Sequence, residues 1–220
     1  MIFEYFCLTD PGLVRDNNED SVALDPDNQV AVLADGMGGY NAGEVASAMA
    51  TTFIKTELGR WMSEGGHEAS ARELKRAMEI CIDNANRSIF NAANSNAQYA
   101  GMGTTLVAPV LMNDRLYWIS VGDSPLYLFR DGQLRRLNED HSLMPQIDHM
   151  VSSGIIGSQQ AEFHPDRNCL TSVLIGEEIA RIDCPSEPVR LLPDDIVLVA
   201  SDGLQFLADD EIAGLLAAHS

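Results

Sequence analysis

Three apolar runs in this chain end on an aspartate beside a glycine. VAVLAD stops at Asp35 before Gly36, LYWISVGD at Asp123 after Gly122, and IVLVASD at Asp202 before Gly203. Each run has the length and composition of a buried strand. A carboxylate in such a place packs poorly, and several brought together repel one another. Something positive must offset that crowding, yet the only lysines are Lys55 and Lys75, both within helical periodicity. A divalent metal is the economical answer. Carboxylate and carbonyl oxygens suit Mg2+ or Mn2+, and the adjacent glycines leave room for backbone carbonyls and water. Glu19 and Asp20 offer further oxygen ligands. The competing reading, that each aspartate merely caps a turn, weakens when three strand ends share the feature. Arg15, four positions before Glu19, is either a counter-ion or a binder of a substrate anion, since guanidinium matches two phosphate oxygens. Metals with an arginine point to a phosphate ester. Two ions ~3.5–4 Å apart can hold a hydroxide for in-line attack on phosphorus, with no protein nucleophile.

The elements that must carry these residues follow from periodicity. Strands are expected at Tyr5–Thr9, Ser21–Leu24 and Gln29–Ala34. Two amphipathic helices follow, one with Val45, Met49, Phe53, Ile54, Leu58 and Trp61 on its apolar stripe. The second carries Leu74, Met78, Cys81, Ile82, Ala85 and Ile89. Strands resume at Thr104–Leu111, Arg115–Val121, Leu126–Phe129 and Gln133–Leu137, the last two joined by the hairpin signal Asp131-Gly132. Residues 140–168 read as a polar surface excursion with short helices, and Ile179–Cys184 and Ile196–Ala200 as strands. This order of strands, helices and strands implies an α+β layered fold on antiparallel sheet, in one domain.

Composition narrows the function. Of the 220 residues, 33 are acidic and 14 basic, a formal charge of −19. Such a field excludes a general binder of nucleic acid or anionic lipid. No apolar run reaches the ~18 residues of a membrane span, and MIFEYFCL has no basic leader before its apolar residues. Cys7, Cys81, Cys169 and Cys184 form no CxxC pair, which suggests reduced thiols in a cytoplasm.

In these residues the chain resembles the metal-dependent protein phosphatases (PPM, or type 2C Ser/Thr phosphatases) in their bacterial form. The matching segments run in family order almost end to end: TDPGLVRDNNEDS (9–21), VLADGMGGYNAGEVAS (32–47), GMGTTLVA (101–108), VGDSPLYLFRDGQL (121–134), EDHSLM (139–144), HPDRNCLT (164–171) and VLVASDGL (197–204). The resemblance implies a four-layer α-β-β-α sandwich of two antiparallel sheets flanked by helices. It implies one phosphatase domain over 1–220 with a flap at about 140–170, short of the family's C-terminal strand or strands. It assigns Asp35 to bridging two metals, Gly36 to a backbone-carbonyl ligand, and Glu19 to the shell of that same metal. Asp20 would orient the attacking water, Asp202 would hold the other metal, and Asp123 with Asp202 a third, weaker one. Arg15 would bind phosphate. The cofactors are then two Mn2+ or Mg2+ ions, or three. The partners are phosphorylated proteins, targets of a Ser/Thr kinase, met by a monomer in the cytoplasm.

Three positions depart from the family pattern. Met37 stands where many members carry a histidine proposed as general acid, and Pro125 where arginine usually follows GDS. No Asp-Asn pair follows Asp202, so either the sequence is a fragment or the site is short of one ligand. These departures favour one alternative, a non-catalytic pseudophosphatase that binds phosphoproteins.

Other motifs lose on context. CIDNANRS (81–88) has the Cys-x5-Arg-Ser form of a cysteine phosphatase loop but falls within a helix, without glycine, with Cys81 on the apolar stripe. GMGGYNAG (36–43) lacks the Lys-Ser/Thr of a P-loop. VLADGM resembles a receiver-domain strand, but no lysine follows Lys75. His141 and His164 in the excursion are expected to be hydrogen-bonded surface residues rather than acids or ligands.

Overall fold

The structure, a computed structural model, describes residues 1–13, 17–38 and 42–219. Strand β1 (Asp20–Asp25) pairs antiparallel with β2 (Val30–Met37), in a register that sets Asp20 directly opposite Asp35. Helix α1 (Ala42–Ser63) and helix α2 (Ala71–Ser95) follow, the latter opened by a capping box in which Ser70 and Glu73 bond each other's backbone N–H. A two-residue strand, β3 (Gly103–Thr104), pairs with the end of β2, and β4 (Leu106–Met112) pairs with its body. Strand β5 (Arg115–Val121) returns through a tight turn in which Asn113 and Asp114 both have positive φ, the geometry that fits a twisted hairpin.

Strands β6 (Leu126–Arg130) and β7 (Gln133–Arg136) form the Asp131-Gly132 hairpin. Helices α3 (Met144–Ser152) and α4 (Ser158–Glu162) occupy the 140–168 excursion. Strand β8 (Val189–Arg190), β9 (Ile196–Val199) and helix α5 (Asp209–His219) complete the chain. The first sheet has the order β1-β2-β4-β5-β8, with β3 on β2; the second is β7-β6-β9.

Layering follows from which side chains each strand turns to each face. Val30, Val32 and Ala34 of β2, Leu106, Ala108 and Val110 of β4, and Tyr117, Ile119 and Val121 of β5 pack with Ala46, Ile54, Leu58, Leu74, Met78 and Ile82 of the two helices. The opposite faces of β4 and β5 present Val107, Leu111, Leu116 and Trp118 to Leu126 and Leu128 of the second sheet. Strand β5 is therefore buried on both sides from Leu116 on, which explains its apolar run Leu116–Ile119. Helix α5, with Ile212 buried, packs on β7 and supplies the fourth layer.

Two expected strands are absent. Tyr5–Thr9 forms no ladder; Phe3 and Tyr5 instead pack against the inter-sheet core as an irregular segment. Residues 179–184 make a single bridge, Asp183 to Ser120, while the short β8, which the sequence did not signal, takes the edge of the first sheet. Among the described residues, no helix is long and apolar enough to cross a membrane.

Candidate functional site

Asp20 and Asp35 face each other across β1 and β2, so their side chains share one side of the sheet. Since Val30, Val32 and Ala34 turn toward the helices, Asp35 points the other way, toward the second sheet. Its backbone is held tightly. The Asp35 N–H donates to Thr105 Oγ1 (3.0 Å), and its carbonyl accepts from the Thr105 N–H (2.8 Å) and Thr104 Oγ1 (2.9 Å). Burial, then the charges of Asp20, Asp202 and Asp123, push the Asp35 carboxyl up from 3.8 to about 7. Asp20, Asp123 and Asp202 are thus near enough for their charges to act on Asp35.

Asp123 sits in the turn between β5 and β6. Gly122 has φ of +105°, and a Cβ there would lie 2.6 Å from the Thr105 side chain, so both conformation and space demand glycine. Buried Thr105 and Ser124 share a hydroxyl hydrogen bond (2.8 Å), which ties this turn to the end of β2. Asn138 braces the turn from behind. Its carboxamide accepts from the Leu126 N–H (2.8 Å) and donates to the Ser124 carbonyl (2.9 Å) and Ser120 Oγ (3.2 Å). The Asp123 carbonyl accepts from the Arg136 guanidinium (2.7 Å) and the Gln205 carboxamide (3.2 Å). Burial, with Asp140 and Asp202 nearby, raises the Asp123 carboxyl to about 6 against the opposing pull of Arg136.

Asp202 opens a short 3-10 turn, Asp202–Phe206, beyond β9. Its neighbour Ser201 donates from Oγ to the Asp20 carboxylate (2.7 Å), which stitches the second sheet to the first at this point. Glu19 lies at the positive end of α1, where a carboxylate is favoured. Its carbonyl accepts from the Gly36 N–H (3.1 Å) and Ser47 Oγ (2.6 Å), and its Oε1 would be 2.7 Å from a Cβ on Gly43. Gly36 is equally constrained, since a Cβ there would meet the carbonyl oxygens of Gly43 at 2.2 Å and Glu19 at 2.6 Å. Arg15 lies outside the described residues.

The donor set fits a particular kind of metal site. Among the described residues, no three carboxylate, imidazole or thiolate side chains form a cage of their own. Mg2+ and Mn2+ seldom need one: such ions take one or two carboxylates and complete the shell with water and carbonyl oxygen. Four aspartates whose charges bear on one another, two of them with raised carboxyls, suit that arrangement and disfavour a thiolate-rich zinc site.

Several contributors went unrecognised in the sequence. Thr105, Arg136, Asn138 and Asp140 lie in or beside segments quoted for the resemblance, but nothing in their type or spacing announces the turn they hold. His141 corrects an expectation: it is fully buried, with Nδ1 accepting from the Gly122 N–H. Cys81 is buried on α2 and its thiol is pushed up to about 11, mainly by desolvation, the opposite of what a thiolate nucleophile needs. A groove of about 1520 Å3 between α1 and the end of α2 is lined by Val45, Met49, Phe53 and Tyr99, and no member of the acidic cluster lines it.

Comparison with known proteins identifies the family. The family model for protein phosphatase 2C matches residues 14–217. The serine/threonine phosphatase Stp of Listeria monocytogenes is 36% identical over 199 residues, covering 89% of this chain and 75% of its own length. The solved serine/threonine phosphatase of S. agalactiae superposes with a TM-score of 0.81 at 30% identity, covering 97% of this chain and 85% of that one. The catalytic domain of the serine/threonine protein phosphatase PstP, solved in complex with two manganese ions, gives 0.69 at 31% identity, covering 94% and 80%.

Proposed function

Since the chain belongs to the protein phosphatase 2C family, we propose that it is a Mn2+- or Mg2+-dependent phosphatase that hydrolyses phosphoserine and phosphothreonine on proteins. The observation that carries this reading is the register that sets Asp20 opposite Asp35, where burial first and then the charges of Asp20, Asp202 and Asp123 raise the Asp35 carboxyl to about 7. Carboxyls so crowded are costly to keep ionised unless they serve a cation.

In this reading Asp35, the Gly36 carbonyl, Glu19 and Asp202 would hold two ions, and Asp123 with Asp202 would hold a third, more weakly. Ions bound there would supply Lewis-acid charge to the phosphoryl oxygens and lower the pKa of water enough for attack at neutral pH. Asp20, oriented by Ser201, directs that water. Arg15 is assigned to the phosphoryl group on the sequence resemblance. The water oxygen bonds to phosphorus in line as the bond to the serine or threonine oxygen breaks. The departing oxygen takes its proton from water or another group, since Met37 has none to give, and the attacking water releases its own proton to solvent, leaving inorganic phosphate and the free hydroxyl.

The segment 140–170 borders this site and is assigned to substrate choice. We place the protein in the cytoplasm as a monomer acting on targets of a Ser/Thr kinase, a setting that four free cysteines suit. The non-catalytic alternative loses ground, since the relatives bear the names of phosphatases.

Phosphate release from a phosphothreonine peptide and from p-nitrophenyl phosphate, followed with and without Mn2+, tests the reading. Asp35→Asn and Asp202→Asn should each abolish the Mn2+-dependent rate. Full metal-dependent turnover in Asp35→Asn would overturn it.

A further inference from the structure

His141 makes two hydrogen bonds to one residue. Its peptide N–H donates to the Gly122 carbonyl (3.0 Å), and its Nδ1 accepts from the Gly122 N–H (3.2 Å). A ring nitrogen that accepts is unprotonated, so the imidazole is neutral and carries its hydrogen on Nε2. Burial, which holds the ring's pKa below the usual histidine range against the pull of Glu139, agrees with this. Nε2 itself is buried and has no hydrogen-bond partner, and the Glu139 carboxylate stands 3.7 Å away, beyond bonding reach. An orphaned buried donor is a cost that leucine or phenylalanine in the same space would avoid. The imidazole therefore earns its place through Nδ1.

What Nδ1 holds is the residue before Asp123, in a left-handed conformation that it cannot relax without moving the carboxylate that follows. Arg136 and Gln205 hold the next residue along, at the Asp123 carbonyl. His141 also reaches the other way. Its carbonyl accepts from the Thr171 N–H (2.7 Å) and Oγ1 (2.8 Å), and the next pairs, Ser142 with Leu170 and the Leu143 N–H with the Cys169 carbonyl (3.0 Å), zip the two ends of the 140–170 excursion together.

We propose that His141 is a positioning residue: by clamping Gly122 it sets the orientation of the Asp123 carboxylate and couples it to the root of the 140–170 segment. This rests on the reading of Asp123 as a ligand of the weakest-held ion. A partner that orients a ligand is typically worth about 10-fold or more in metal affinity.

Three variants separate the clamp from mere packing. His141→Asn places an acceptor where Nδ1 stood, His141→Gln places its carboxamide near Nε2, and His141→Leu keeps only volume. In the EDTA-treated full chain, hydrogen exchange at the Gly122 amide should quicken about 10-fold or more in His141→Leu and His141→Gln and stay near wild type in His141→Asn. In calorimetric titration with Mn2+, the weakest binding step should lose about 10-fold in affinity in the same two variants, with the tighter steps unchanged. Unchanged Gly122 protection or an unchanged Mn2+ isotherm in a folded His141→Leu would overturn the proposal. So would His141→Asn behaving like His141→Leu, or loss of fold in all three, which would assign the ring to the core. If His141→Leu alone fails to fold, the Asn and Gln variants decide. Asp123→Asn serves as the control. If it binds Mn2+ as wild type does, the assignment of Asp123 fails. If it loses the weakest step while the folded His141 variants do not, the clamp fails alone.

Discussion

Replacing Asp35 by asparagine should remove activity and yet make the metal-free protein more stable at alkaline pH. The unfolded chain ionises this carboxyl near 3.8 and the folded chain near 7. Folding therefore takes up a proton between those values. The favourable contribution is whole below pH 3.8, falls as pH rises, and is gone above about 7, where the folded protein bears an ionised carboxylate opposite Asp20 and near Asp123 and Asp202. A displacement of that size corresponds to roughly 4 kcal/mol against the ionised form. Asp35 is only part-buried, so solvent screens some of this, and about 2–3 kcal/mol is the expected gain on neutralising it. Urea unfolding in EDTA, fitted with a common slope, measures it. At pH 8 Asp35→Asn should exceed wild type by that amount, and at pH 4 by less than about 1 kcal/mol. Saturating Mn2+ should reverse the order, because only the wild type gains binding energy. A metal-free Asp35→Asn that is less stable than wild type at pH 8, or a difference that does not change between pH 4 and pH 8, would refute the reasoning.

Asn138→Ala strips partners from the buried Leu126 N–H and Ser124 carbonyl, and should cost about 3 kcal/mol, a fall in Tm of roughly 10 °C by calorimetry. Gly122→Ala forces a methyl against Thr105 at φ +105°, and should destabilise by more than about 2 kcal/mol and depress kcat together with Mn2+ affinity. Arg15→Ala should raise KM for a phosphopeptide by about 10-fold or more with a smaller effect on kcat, as steady-state kinetics would show, because it removes binding rather than chemistry.

The parts of the fold that local chemistry dictates were the parts the sequence disclosed. The apolar stripes of α1 and α2 and the Asp131-Gly132 hairpin follow from spacing and turn type, whereas of the three aspartates read as strand ends Asp35 lies within β2 and Asp123 and Asp202 lie just beyond β5 and β9. Tyr5–Thr9 has the composition of a strand but not the partner, and composition carries no information about partners. The same limit hid the register that sets Asp20 opposite Asp35, because pairing depends on residues elsewhere in the chain. Thr105, Asn138 and His141 were illegible as site-builders for a related reason. Each acts through the backbone of a turn that is distant in sequence, and a threonine, an asparagine or a histidine looks alike whether it braces a turn or faces water.

The Ser201–Asp20 hydrogen bond joins residues 181 positions apart. Closing so long a loop is entropically slow and comes after local helices and hairpins have formed. During synthesis the first hairpin can therefore emerge with Asp20 and Asp35 already paired, while Asp202 is still unmade. On the proposed assignment, metal affinity and turnover would arrive only once Asp20 and Ser201 are brought together, so the appearance of enzymatic rate during refolding should be a clock for that long-range closure rather than for collapse.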